Sequence, residues 1–205
     1  CEGKEREKAM MIVITPYVVL DDWHIKRLCV IESQIAGVIL RTPMNRHALK
    51  QWLIQLLANG FPKSKVIIHT DVTLAMELSI SNVHFKEGDH RATLLKQVQP
   101  HYQVSMSTHS AAMVRDAKAQ QLDFVLFGHL FPTSSKPDLP PRTQLEVDEV
   151  LAIDFPVVAL GGITADTVQQ ISSHFTGIAC MSSAFGYELQ SFEKMVDYWS
   201  LKKVK

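Results

Sequence analysis

The chain has 205 residues, 46 % hydrophobic and 20 % charged, the proportions of an ordinary globular domain with enough chain for a sizeable core. Its 21 Lys+Arg balance 21 Asp+Glu, and zero net charge speaks against broad electrostatic binding to nucleic acid or an anionic membrane. No run of about eighteen apolar residues occurs, so no transmembrane helix is expected.

The first nine residues, CEGKEREKA, are charged and lack the apolar stretch of a secretory signal. They read as a non-native or disordered extension ahead of Met10-Met11, with one domain over 10–205. Cys1, Cys29 and Cys180 form no CxxC pair, and so sparse a count reads as cytosolic and reduced.

From Met10 onward a short β-branched apolar run alternates with a helical pattern. Strands are expected at 12–15, 37–41, 65–69, 82–85, 103–107, 123–128, 156–160 and 177–181. Continuous runs such as VIIH, FVLF and VVAL mark strands buried on both faces, as parallel sheets require. Leu49, Trp52, Leu53, Leu56 and Leu57 form an i, i+3, i+4, i+7, i+8 stripe that stops at Asn59-Gly60 before Pro62. Phe192, Met195, Val196 and Trp199 repeat that spacing near the C-terminus.

Eight βα units in this length fit a single-domain (β/α)8 TIM barrel, with a doubly wound open sheet as the alternative. The first strand ends in Thr15-Pro16-Tyr17 and not in a GxGxxG turn, which favours the barrel. Residues 132–142, PTSSKPDLPPR, carry four prolines in eleven positions; they exclude a helix and suit a flap beside an active site.

A parallel barrel does its chemistry at the C-terminal ends of its strands. The residues expected there are Arg41, His69, Ser107, His109, His129, Gly161-Gly162 and Ser182-Ser183. Gly161-Gly162, opening into a helix near Thr164, and Ser182-Ser183 stand where this fold holds phosphate, on free N–H donors and a favourable dipole. Arg41 is a planar fork suited to carboxylate or phosphate, and Lys136 adds a flap cation. Of nine histidines, His129 directly follows Gly128 at the mouth, where an imidazole can accept and return a proton near neutral pH. His109 reads as orienting backbone and His84 as facing the barrel core or its helices. His24, His47, His90, His101 and His174 read as surface. Asp89 and Asp71 are the carboxylates available to a metal, and Asp71 reads equally as a helix cap.

VLFGHLFPTSSK (125–136), PVVALGGIT (156–164), GIACMSSAF (177–185), VSMSTHS (104–110) and NVHFKEGD (82–89) resemble the thiamin phosphate synthase/TenI family, in order along nearly the whole chain. The resemblance implies a (β/α)8 barrel. The synthase branch joins a pyrimidine diphosphate to a thiazole phosphate with Mg²⁺, and usually carries Arg-Glu-Lys after strand two, Asn-Asp after strand three and Gly-Pro after strand six. This chain has Arg41-Thr42-Pro43, His69-Thr70 and Gly128-His129 there, while Asp89 keeps one metal position. Gly-His is the pattern of the TenI branch, whose members are thiazole tautomerases. They convert a carboxythiazole phosphate from its exocyclic-alkene form to the aromatic isomer, with neither metal nor cofactor. Carried over, His129 is the acid/base, Gly162, Ser182 and Ser183 cradle phosphate, and Ser107, Thr133, Ser135 and Lys136 line the carboxylate side. The alternatives are a working synthase and a non-catalytic regulatory or ligand-binding protein. Barrels of this family often pair, which leaves a homodimer open.

Overall fold

The computed structural model describes residues 10–203; the expected extension over 1–9 lies outside them. Eight parallel strands close into a barrel in sequence order, which decides against the open sheet. They are β1 (Met10–Ile14), β2 (Gly37–Leu40), β3 (Val66–His69), β4 (Asn82–Phe85), β5 (Gln103–Thr108), β6 (Phe124–Gly128), β7 (Val157–Leu160) and β8 (Gly177–Cys180). The helices are α1 (Asp22–Ile31), α2 (Arg46–Ala58), α3 (Val72–Glu77), α4 (Arg91–Val98), α5 (Ala111–Ala119), α6 (Gln144–Leu151) and α7 (Gln190–Lys203). No helix among the described residues is long and apolar enough to cross a membrane.

The period-two alternation of each strand divides the apolar residues between two cores. Val13, Val38, Leu40, Ile68, Val83, Phe85, Val104, Val125, Phe127 and Ile178 pack outward against the helices. Ile12, Ile14, Ile39, Ile67, Phe124, Leu126, Val158 and Ala179 fill the bore. The same parity sends His84, Ser105 and Ser107 inward, so the bore is apolar along β6–β8 and β1 but polar along β4–β5.

Capping sets where the helices begin. Thr143 and Glu146 form a capping box at α6, Asn45 accepts the Ala48 N–H at α2, and Ser110 accepts the Met113 N–H at α5. α2 buries Leu49, Trp52, Leu53 and Leu56 of the expected stripe, with Leu57 half-buried against the same core, and stops at Gly60 with φ +89°. At α1 the sequence reading is corrected. His24 is buried, not surface, because Asp21 and His24 make a reciprocal cap that turns the imidazole inward, Nδ1 lying 2.7 Å from Asp21 Oδ1.

A second correction follows β7, where the helix expected near Thr164 does not form. Thr167 Oγ1 accepts the Thr164 N–H and donates to the Gly162 carbonyl, both at 2.9 Å, and Thr164 Oγ1 accepts the Asp166 N–H at 3.2 Å. Threonine hydroxyls that bond nearby backbone compete with the helical ladder. Only a 3₁₀ turn, Val168–Gln170, remains, and a full helix dipole does not point at this loop.

Candidate active site

The C-terminal mouth of the barrel encloses a cavity of about 680 Å³. Its wall includes every residue expected at the mouth, His69, His109 and Gly161 among them, together with Thr133, Ser135 and Lys136. Gly162, Ser182 and Ser183 come from the turns after β7 and β8; Thr133, Ser135 and Lys136 come from the flap. His129 follows β6, Ser107 ends β5, and Arg41 stands after β2 with its guanidinium 5.1 Å from the Tyr17 ring centre. Ser183 Oγ donates to the Ile163 carbonyl at 3.0 Å, tying the β8 turn to the β7 turn.

His129 is 3 % exposed. Its Nε2 lies 3.1 Å from the Leu139 carbonyl of the flap, and Nδ1 is buried with no hydrogen-bond partner. A carbonyl oxygen only accepts, so Nε2 carries the proton and Nδ1 holds the free lone pair. The flap is fastened further where Arg142 donates its backbone N–H to the His129 carbonyl at 2.9 Å and its guanidinium to the His109 carbonyl at 3.3 Å. On the other side, Leu130 N–H donates to the Leu160 carbonyl at 2.9 Å and Phe131 N–H to the Gly161 carbonyl at 3.1 Å.

The polar sector of the bore is a chain of hydrogen bonds. His84 Nδ1 lies 2.8 Å from Ser105 Oγ and Nε2 lies 2.9 Å from Ser107 Oγ. His69 packs beside it, ring centres 6.0 Å apart. Burial pushes the His84 imidazole down to about 3, with His69 adding to the shift. Burial, then Lys86 and Arg41, push His69 down to about 4. Both rings are therefore neutral near pH 7. Burial likewise pushes the Cys180 thiol up to about 12, which leaves it inert as a nucleophile. Thr70, next to His69, holds φ +63°, a costly conformation for a β-branched residue, and its N–H donates to the His84 carbonyl at 2.9 Å.

His109 does more than orient backbone. Its Nδ1 lies 2.5 Å from Glu87 Oε2, and Lys136 Nζ lies 3.1 Å from its Nε2. Lys86, Glu87 and Arg142 escaped the sequence reading. For the first two the signal was present, since they directly follow β4 at the rim.

The carboxylates considered for a metal are engaged. Asp71 caps α3 through the Leu74 N–H at 3.0 Å and pairs with Arg46 at 2.7 Å. Arg91 grips Asp89 at 2.6 and 2.9 Å and holds its carboxyl below the usual range. Neither lines the cavity. Among the described residues no group of three or more His, Cys, Asp or Glu side chains is arranged to hold a metal ion, and the two carboxylates that could hold Mg²⁺ beside a diphosphate are paired with arginines outside the cavity lining, which does not fit the Mg²⁺ site of a synthase.

Among solved structures, the fold is similar to a thiamine phosphate pyrophosphorylase from Pyrococcus furiosus, with a TM-score of 0.76 at 18 % identity over 95 % of this chain and 97 % of that one. A thiamine phosphate pyrophosphorylase from Bacteroides thetaiotaomicron matches with a TM-score of 0.63 at 22 % identity over 95 % of each chain. In sequence, the chain is 30 % identical to a thiamine-phosphate synthase of Lysinibacillus sphaericus over 146 residues, 68 % of this chain and 67 % of that one. It is 30 % identical to that of Chlorobium phaeovibrioides over 121 residues, 57 % of this chain and 58 % of that one. The chain thus spans little more than half the length of several curated relatives it matches. A family model described as thiamine monophosphate synthase matches residues 24–184, and the chain belongs to that family, the thiamine monophosphate synthase/TenI family.

Proposed function

We propose that the protein is a thiazole tautomerase, isomerising a carboxythiazole phosphate from the exocyclic-alkene to the aromatic form. The observation that carries this reading is His129: a buried imidazole at the cavity wall, its tautomer fixed by the Leu139 carbonyl and one nitrogen left without a partner. One group that takes a proton from a ring carbon and returns it to the side-chain carbon is what the isomerisation needs. The C–H bond broken and the C–H bond formed balance, no electrons leave the substrate, and aromaticity supplies the driving force.

In this reading Gly162, Ser182 and Ser183 hold the phosphate. Without a helix behind the β7 turn, the cradle relies on hydroxyls and local N–H groups. Ser107, Thr133, Ser135 and Lys136 receive the carboxylate, and Arg41 supplies a second cation at the rim. Neutral His84 orients the Ser107 hydroxyl without bringing a charge into the bore. With the flap as it stands, Leu139 occupies Nε2 and burial covers Nδ1. Proton transfer therefore requires the flap to shift when substrate enters.

The names of the relatives favour a second reading, a Mg²⁺-dependent thiamine-phosphate synthase, and a non-catalytic ligand-binding protein is the third. The direct test supplies the alkene isomer and follows aromatisation by absorbance. The wild type is expected to turn over, and His129→Ala to lose about 10²- to 10⁴-fold, the usual contribution of a positioned acid/base. Undiminished turnover by His129→Ala would overturn the assignment of His129. Binding of the thiazole phosphate without turnover would favour the third reading.

A further inference from the structure

We infer that His109 and Glu87 are positioning residues that hold Lys136 at the cavity as the cation for the substrate's carboxylate. The inference deepens the tautomerase reading and rests on it for the ligand. Three segments contribute: Glu87 from the turn after β4, His109 from the turn after β5, and Lys136 from the flap.

The chemistry of the three groups fixes the direction of every hydrogen bond between them. An ammonium only donates, so Lys136 Nζ donates a hydrogen bond to His109 Nε2 across 3.1 Å. The imidazole then carries its own proton on Nδ1, which donates to Glu87 Oε2 at 2.5 Å. The carboxylate thus acts on the lysine through a neutral ring. Direct pairing of Lys136 with Glu87 would set a carboxylate against the ammonium and compete with an incoming anion. The interposed imidazole restrains the lysine and takes one of its three donors, leaving two for a ligand. The Arg142 guanidinium fixes the His109 backbone from the flap side through its carbonyl. All three of Glu87, His109 and Lys136 line the cavity.

Two measurements test this separately. The first needs no ligand. ¹⁵N spectra of the full chain are expected to show His109 as the Nδ1–H tautomer in the wild type and as a mixture in Lys136→Ala; a mixture in the wild type would overturn the chain of bonds. The second compares affinity for the aromatic carboxythiazole phosphate with that for the same thiazole phosphate lacking the carboxylate. The wild type is expected to prefer the carboxylated ligand by about tenfold, as a charge-assisted hydrogen bond would give. Lys136→Ala and His109→Ala are expected to lose that preference. His109→Gln, whose amide can accept from Lys136 and donate to Glu87, is expected to restore it. An equal loss for both ligands in His109→Ala, or no rescue by glutamine, would leave His109 only a structural part and overturn the inference. Failure of the wild type to bind either thiazole would overturn the tautomerase reading and this ligand assignment together, while the tautomer result would still decide the bonding chain.

Discussion

A β-carbon built on Gly161 would lie 2.1 Å from the His129 Cβ, so the turn after β7 reaches the segment after β6 only because residue 161 has no side chain. Its φ of +98° adds a conformation that other residues adopt only under strain. Gly161 therefore seats His129, whatever it also offers a phosphate. Gly161→Ala is expected to destabilise the protein by about 2–3 kcal/mol, through overpacking and backbone strain together. In the proposed tautomerase, displacement of His129 by about 1 Å would cost on the order of 10²-fold in rate. Denaturant midpoints and rates measured well below the midpoint check both. An active Gly161→Ala of wild-type stability would refute this account of the glycine.

The barrel was legible because strands buried on both faces must be continuously apolar, and all eight expected runs are strands whose ends differ by at most two residues, β4 matching at both ends. At two of the ends that moved, polar side chains bond to the neighbouring strand. Thr108 extends β5, with Oγ1 donating to the Leu126 carbonyl, and Asp123 sits just outside β6, its Oδ2 accepting the Val104 N–H. The rim was legible from the same parity, since a residue two beyond an inward apolar one also faces inward, as with Ile67 and His69. What escaped was set by side chains bonding nearby backbone: the Asp21–His24 cap that buries His24, and the Thr164–Thr167 exchange that replaces a helix. The Glu87–His109–Lys136 chain joins residues far apart in sequence, and no spacing rule reaches it.

His84 gives stability a pH dependence whose sign follows from its burial. Its folded value of about 3 lies far below the ordinary histidine value of 6.5. Above the unfolded value the ring is neutral in both states and its contribution is intact. Below it the unfolded chain binds a proton that the native state refuses. Stability is therefore lost as pH falls from about 6.5 towards 3, by up to about 1.4 kcal/mol per pH unit for this one group. His69, lowered to about 4, adds in the same direction over a narrower window. Urea unfolding between pH 7 and 4.5 is expected to steepen accordingly. His84→Gln, which can still bond both serines, is expected to flatten the slope by about one proton; an unchanged slope would show that His84 does not supply it.

The arginine contacts at the two aspartates bear on the choice between the tautomerase and synthase readings. With Asp71 on Arg46 and a helix cap, and Asp89 on Arg91, neither of these two carboxylates is free to hold a cation bound to diphosphate. Incubation with the pyrimidine diphosphate, the thiazole phosphate and millimolar Mg²⁺ is expected to yield no condensed product. Sustained Mg²⁺-dependent condensation would establish the synthase reading and displace the tautomerase from first place.

Lys136 and Leu139 share one turn of the flap, the Leu139 N–H donating to the Lys136 carbonyl at 3.4 Å. One residue reaches His109 and the other covers His129. A carboxylate that binds the two remaining donors of Lys136 would therefore pull on the turn that presents the Leu139 carbonyl. Freeing His129 then becomes a consequence of ligand recognition rather than a separate step. In ¹⁵N spectra the His129 Nε2 signal is expected to shift when the carboxythiazole phosphate is added, as the Leu139 contact breaks. In Lys136→Ala the same ligand, at a concentration that saturates the variant, is expected to leave that signal in place and to give a lowered kcat rather than only a raised KM. An equal shift in both proteins would show that the flap releases His129 without Lys136. Loss confined to KM would show that the lysine only binds.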